Sequence, residues 1–385
     1  MNNKFLDQLI AIRRKIHRYP ELGEREFRTA QFIEKNLRAL KIKFRRVGKT
    51  GVLASLGQGA RCIALRADMD ALPLMEKKPL PYASKNRGVM HACGHDAHVA
   101  MLLGAAMLLA QKKNLPGVVK FFFQPNEEGS GGAKSLVSAG VMQNPKVQAV
   151  VGLHVNPRFP TGKIGLKPGP LMASVDKFTL EIFGQGGHAA YPHEGKDAIL
   201  IAAEAILALQ SIVSRRIDPL EPAVLTIGTM QGGARYNILA EKVTLTGTVR
   251  TLSSKTQAQI PRFMRQILQG VTKSHGGKYK LDYQTIGALL ANDPKVCALS
   301  RQVAARVFGE SQIVDLETAS MGGEDFSEYL RQAPGCFIYI GTGNKALGTQ
   351  FPWHHPEFNI DERALIVGST LLSEVAQEFL TKGTA

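Results

Sequence analysis

Long apolar runs are missing from this chain: the longest, residues 99–110, covers 12 positions, short of the roughly 20 that cross a bilayer as a helix. That argues against a membrane role. Cysteine is scarce too. Cys62, Cys93, Cys297 and Cys336 lie far apart with no C-x-x-C pair, which excludes a secreted disulfide framework and points to a reducing, cytoplasmic compartment. The first 20 residues do not read as a secretory signal, because Asp7 and Gln8 interrupt their apolar stretch and Arg13, Arg14 and Lys15 follow. No G-x-S-x-G occurs, so the elbow of a serine hydrolase is absent. A phosphate-binding loop is excluded as well, since Lys43 stands where the first glycine before Gly48-Lys49-Thr50 would be needed. Acidic residues are in the minority, 32 against 48 Lys and Arg, leaving a net charge of +16. The bases gather at 13–15 and 41–46 without a recognised nucleic-acid motif. A basic surface that draws in anionic substrates accounts for them better than a specific nucleic-acid partner.

What remains is a chain of 385 residues, 44% hydrophobic and 21% charged, long enough for two or three domains with sizeable cores. Residues 3–40 carry helical periodicity, broken at Pro20 and Gly23. From residue 51 the texture changes to short apolar runs at 52–56, 62–65, 118–123, 147–153 and 336–340. Such runs suit strands covered on both faces, in a mostly parallel sheet with helices at 95–112 and 132–139 between them. Between about 174 and 287 the rhythm differs. Strands at 176–183, 223–230, 242–250 and 278–286 alternate with helices at 195–215 and 254–274. That order, β-α-β-β-α-β, is the ferredoxin-like one. The expected architecture is therefore α/β with two domains: catalytic segments 1–173 and 288–385, and an inserted lid at 174–287.

Chemistry concentrates at Met90-His91-Ala92-Cys93-Gly94-His95-Asp96-Ala97-His98. Four candidate metal ligands and a carboxylate within eight residues are expensive to bury alone. In open α/β sheets, ligands bind beyond the carboxyl ends of the strands. The run 62–65 leads into Arg66-Ala67-Asp68-Met69-Asp70, and the run 118–123 into Gln124-Pro125-Asn126-Glu127-Glu128. The run 147–153 ends on His154, and Trp353-His354-His355-Pro356 follows a late strand. Taken singly, paired glutamates are commonly a solvated surface pair and a strand-end histidine a core residue. Taken together, four strand ends delivering carboxylates or imidazoles predict a metal site.

These stretches, extended to 66–73, 124–133 and 354–358, with His17–Gly23 in the sequence H-R-Y-P-E-L-G, 187–192 and Met321-Gly322-Gly323-Glu324-Asp325-Phe326, carry a resemblance over nearly the whole chain. The chain resembles the amidohydrolase branch of the dinuclear metallo-exopeptidases, which includes hippurate hydrolases, N-acyl-amino-acid amidohydrolases and auxin-conjugate hydrolases. The resemblance implies a zinc-exopeptidase-like catalytic domain with an inserted ferredoxin-like lid that makes a homodimer. It implies two divalent ions, Zn²⁺ or Mn²⁺, held by Cys93, His95, Glu128, His154 and His354. It further implies Glu127 as general base, Asp70 as the carboxylate orienting a ligand, and His188 as an oxyanion donor in its own or a partner's site. Asn126 departs from the family, where a small residue commonly precedes the paired glutamates. Asp68 and Glu324 match without an assigned role. Arg235 and Asn237 are candidates for holding a substrate carboxylate. The implied reaction is hydrolysis of an N-acyl amino acid. The alternatives are a carboxypeptidase or dipeptidase on the same site, or a non-catalytic metal-stabilised binding protein. Glu127 weighs against the last, because a structural site needs ligands but no spare base.

Overall fold

The computed structural model describes residues 3–129 and 131–383. Ser130, inside the matched stretch 124–133, lies outside the described residues. The chain divides into two units, one of residues 1–169, 291–318 and 325–385, the other of 170–290 and 319–324. Residues 319–324, expected in the last catalytic segment, belong to the second unit. Backbone bonding explains the difference: Ala173 N–H donates to the carbonyls of Ser320 and Gly322, and Ser320 N–H to that of Leu171.

The first unit is built on a mixed sheet in the order Lys43–Val47, Gly51–Gly57, Val118–Gln124, Cys62–Asp68, Ala149–Pro160, Gly335–Gly343, Ile164–Leu166, Ile313–Asp315. Its four central strands, from Val118–Gln124 to Gly335–Gly343, are mutually parallel. The two strands before them pair antiparallel, as does Ile164–Leu166 with Gly335–Gly343, while the edge strand Ile313–Asp315 pairs parallel with Ile164–Leu166, so the expected mostly parallel sheet holds at the centre and is mixed outside it. Cys62–Asp68 and Val118–Gln124 are buried at every position, as strands sandwiched between helices must be. The basic stretch 43–47 is an edge strand whose outward side chains alternate with inward ones. Charges on an exposed edge discourage pairing with another chain.

Complete burial captures two cations that a hydropathy reading passes over. Lys120 Nζ donates to the carbonyls of Val141 (3.0 Å), Gln143 (2.5 Å) and Pro145 (2.9 Å), closing the turn after helix Gly132–Ser138. Arg66 bonds Asp68 (2.7 Å), Gln124 (2.8 Å) and Asp325 (3.0 Å). Helix His95–Ala110 is buried almost all round, which makes it a core helix rather than a surface one. It packs closely on helix Ala364–Lys382: a Cβ on Gly104 would stand 2.3 Å from Ser369 Oγ, and one on Gly368 2.2 Å from Met101 Sδ.

The second unit carries a four-stranded antiparallel sheet in the order Ala223–Gly232, Lys242–Thr251, Ser174–Phe183, Lys278–Gly287. Helices Ala198–Ser211 and Ser254–Ser274 connect its strands in the order β-α-β-β-α-β. Inward residues of alternating strands, among them Phe178, Leu180, Val243 and Leu245, meet Ile201, Ala205, Ile260 and Met264 from the helices. Segment Ala198–Arg216 is long and apolar enough by composition to cross a membrane, yet Ile201, Ala202, Ala205 and Leu209 pack on the sheet. Its other face leaves Ile199, Leu200 and Leu207 exposed, Leu207 by 73%.

Candidate metal centre

The parallel strands of the first unit end together, and their carboxyl ends set the site. Beyond Cys62–Asp68 comes Asp70, beyond Val118–Gln124 come Glu127 and Glu128, and His154 projects from Ala149–Pro160. Cys93 and His95 enter from the start of helix His95–Ala110. Gly94 between them has φ of 86°, and a Cβ there would sit 2.4 Å from Val155 Cγ2. Only glycine meets both demands. His354 arrives on a loop in left-handed backbone (φ 63°) whose N–H donates to the carbonyl of Ala92, beside Cys93.

Three triads of ligand-type atoms form here, each with its members within 4.8 Å of one another: Cys93–His95–His154, Cys93–Glu128–His354 and His95–Glu127–Glu128. The first two share Cys93. Cys93 Sγ lies 3.4 Å from His154 Nε2, and His354 Nε2 3.3 Å from Glu128 Oε1. His355, the neighbouring candidate, points away and stacks on Phe351 at 4.4 Å. A further triad, Asp68–His95–His98, stands behind them.

Hydrogen bonds fix which ring nitrogens face inward. His154 Nδ1 donates to the carbonyl of Val155 (2.8 Å), leaving the Nε2 lone pair toward Cys93. His95 Nδ1 faces Asp70 Oδ1 (3.2 Å), which turns its Nε2 into the cluster. Asp70 Oδ2 accepts the N–H of Glu128 (3.0 Å), so one carboxylate orients both a ring and a backbone. His95 Nε2 and Glu128 Oε1 are buried without a well-formed hydrogen bond, Glu128 Oε1 having only His354 Nε2 beside it at 3.3 Å. Orphaned donor and acceptor atoms at this depth are costly unless an ion takes them.

Electrostatics favour a cation at the same place. Burial lowers the pKa of His95, but Asp68 and Asp70 outweigh it and raise the imidazole well above its usual range. Burial pushes the Cys93 thiol well up and the His154 imidazole well down. The carboxylates of Asp68 and Asp70 thus favour positive charge at His95. A thiol, three imidazoles and a carboxylate fit a borderline-soft divalent ion such as Zn²⁺.

Residues behind the three triads around Cys93 and Glu128 hold them in place. Asp68 bonds Arg66 and accepts a hydrogen bond from His98 Nδ1 (2.6 Å), while His98 Nε2 accepts the N–H of Val155 (3.0 Å). His98 is thus a locked neutral spacer behind His154. Asp96 bonds Arg13 Nε (3.0 Å) and His17 Nδ1 (2.8 Å), and His17 Nε2 meets Glu76 (2.9 Å). Burial opposes charge on His17, but the two flanking carboxylates raise its pKa. His17 stands in the sequence as part of the 17–23 motif, with its partners 59 and 79 residues away. Asp325 accepts from Ala133 N (3.0 Å) as well as from Arg66 and Gln124. Asn126 has φ of 52°, and its position before the paired glutamates is a left-handed turn.

In the second unit, His188 and Asn237 are neighbours: His188 pairs with Ile238 across a two-residue ladder, and Ala189 N–H donates to the carbonyl of Asn237 (3.1 Å). His188 Nδ1 accepts the N–H of Ala190, which leaves the proton on its exposed Nε2. Arg235 is exposed in the same loop, and Glu324 is buried.

The chain is 43% identical over 377 residues to N-acetyl-L-cysteine deacetylase of Bacillus subtilis, covering 97% of this chain and 88% of that protein. It is 37% identical to thermostable carboxypeptidase 1 of Saccharolobus solfataricus, over 98% of this chain and 96% of that one. A solved Bacillus subtilis structure, described as a dinuclear metal binding peptidase from the M20 family, superposes with a TM-score of 0.88 at 37% identity, covering 99% of both chains. The profile of peptidase family M20/M25/M40 matches residues 64–378, a span that takes in every residue of the triads. With its mixed α/β fold and that match, the chain belongs to peptidase family M20/M25/M40.

Proposed function

We propose that this chain hydrolyses the amide bond of N-acyl amino acids at the cluster around Cys93. Membership of the family makes it a metal-dependent amidohydrolase; the substrate class and the residue roles are our reading. The observation that carries it is the convergence of five ligand-type side chains on one buried place, where His95 Nε2 and Glu128 Oε1 have no well-formed hydrogen bond. We assign Cys93, His95, Glu128, His154 and His354 as ligands of two divalent ions, Zn²⁺ or Mn²⁺, with Cys93 common to both triads. When bound, such ions polarise a carbonyl and make water acidic enough to react near neutral pH.

The chain's own residues supply the proton movements and the aim. Glu127 takes the proton of the attacking water and returns it to the leaving amine, a role that suits a carboxylate beside the ligands without being one. Asp70 fixes the tautomer of His95 and the backbone of Glu128 through its two oxygens. His188 offers its Nε2 proton to the developing oxyanion. Removing that donor in His188→Ala should lower kcat with metal content unchanged, and an unchanged kcat would withdraw the assignment. Arg235 and Asn237 are assigned to the substrate carboxylate.

We read the second unit as a ferredoxin-like lid that dimerises. Strand Ala223–Gly232 is an open sheet edge, and beside it the chain exposes Ile199, Leu200, Leu207, Met230 and Tyr236. An apolar patch next to an unpaired edge asks for a self-complementary partner. The carboxypeptidase relative favours a second reading, in which a peptidyl group replaces the acyl group before the same scissile amide. A metal-reconstituted activity screen on N-acetyl, N-benzoyl and dipeptide substrates decides between them. Turnover of the first two supports the proposal; turnover of dipeptides alone supports the second reading.

A further inference from the structure

The motif at the end of the first helix leads into a segment, 20–26, that carries no ligand and no catalytic group, yet it touches both loops that do. The carbonyl of Glu21 accepts the N–H of Ala71 (2.8 Å), and Leu22 forms a parallel bridge to Ala71, next to Asp70. Four residues on, Glu26 is fully buried. Its Oε1 accepts the N–H of Asn126 (2.9 Å) and its Oε2 the hydroxyl of Thr50 (2.7 Å). A buried carboxylate is expensive where an apolar side chain would fill the same volume, so its retention points to the groups it holds.

We propose that Glu26 is a positioning residue for the paired glutamates: by holding Asn126 in a left-handed turn, it aims Glu127 and Glu128. The inference rests on the roles assigned to those two residues above. Asn126 has φ of 52°, a conformation asparagine tolerates better than most residues. Its carbonyl accepts the N–H groups of Gly131 (3.4 Å) and Gly132 (3.2 Å), so the turn is tied on both sides. Its side chain lies between two glycines: a Cβ on Gly23 or on Gly129 would stand 2.2 Å from Asn126 Oδ1. Neither glycine has a positive φ. They are glycines for room, not for backbone freedom, and the room is filled by Asn126. Glu26, Gly23 and Gly129 thus hold one residue from three directions, and the chain leaves it as Glu127 and Glu128.

Two variants separate aim from charge. Glu26→Ala removes both acceptors. Glu26→Gln keeps them in geometry, since its oxygen can accept from Asn126 while its amide donates to the Thr50 hydroxyl. Misplacement of reacting groups by about 1 Å can cost on the order of 100-fold. We expect Glu26→Ala to lower kcat about 30-fold with KM changed less than about 3-fold, the mark of lost positioning rather than lost binding. We expect it also to weaken Zn²⁺ affinity about 10-fold through Glu128, and Glu26→Gln to recover both quantities to within about 3-fold. Zn²⁺ titration of the apoprotein gives the second readout without any substrate. Equal impairment of the two variants would overturn the proposal, because charge and not aim would then matter. So would an alanine variant with unchanged kcat and affinity. Should Glu26→Ala not fold, Gly23→Ala presses on Asn126 while leaving every carboxylate in place, and must show the same losses. If the wild-type chain turned over no N-acyl amino acid, the functional reading would fail, while the Zn²⁺ titrations would still judge the positioning.

Discussion

Replacing Asp70 by asparagine probes how the site is aimed with the smallest change in shape. Asp70 faces two N–H groups, His95 Nδ1 at 3.2 Å and Glu128 N at 3.0 Å, one on each oxygen. Asparagine can accept from only one of them and turns an NH₂ group toward the other. One hydrogen bond to a charged acceptor is lost, about 1.5–3 kcal/mol. At 1.4 kcal/mol per decade this is about 10- to 150-fold, overlapping the roughly 10- to 100-fold found for residues that orient metal ligands. The assay is a Zn²⁺ titration of wild-type and Asp70→Asn apoprotein against a chromophoric chelator, with thermal midpoints of the metal-free proteins as control. The reasoning predicts weaker binding by that factor with the midpoint little changed. An asparagine variant that binds both ions as tightly as wild type would refute it.

Two other outcomes follow from the fold. Leu207, 73% exposed on the apolar face of helix Ala198–Ser211, should be covered in a dimer; Leu207→Asp is expected to give monomers by light scattering, and a monomeric wild type would contradict the interface. Asp361 is buried, which opposes its charge, yet donors from Arg363, Asn344 and Thr161 hold its pKa down to about 2. Its folded pKa is thus below the unfolded value of about 3.9, so its contribution is full above pH 4 and fades as pH falls toward 2. Urea denaturation of the metal-free proteins should show Asp361→Asn less stable than wild type by about 1–2 kcal/mol at pH 7, with the gap narrowing by pH 3; a gap independent of pH would remove the carboxylate from the account.

Much of the central sheet was legible because complete burial writes itself as short apolar runs. The run at 118–123 reads as a strand despite Lys120, whose three carbonyl partners at 141–145 no periodicity reveals. The edge strand Lys43–Val47 read only as a cluster of bases, since an edge carries charge where a central strand cannot. The residues that meet around Cys93 were legible for a different reason. Parallel strands put their carboxyl ends on one side, so ligand types at successive strand ends converge whatever their separation in sequence. Asp70 and Glu128 lie 58 residues apart and share a hydrogen bond. Illegible were the roles that depend on backbone angle and on distant partners. Asn126 looked like a departure from a family pattern, and its left-handed φ is the reason an asparagine serves there. His17 and Asp96 gave no sign of each other, because a buried ion pair leaves no spacing in the sequence.

The central claim is that Glu127 moves the proton while neighbouring side chains hold the metal. It is tested most directly by measuring metal content and N-acetyl amino acid hydrolysis together in Glu127→Ala. The account predicts two divalent ions per chain, as in wild type, and a loss of kcat of about 10²–10⁴-fold, the usual worth of a general base. Undiminished turnover with the metals in place would contradict it.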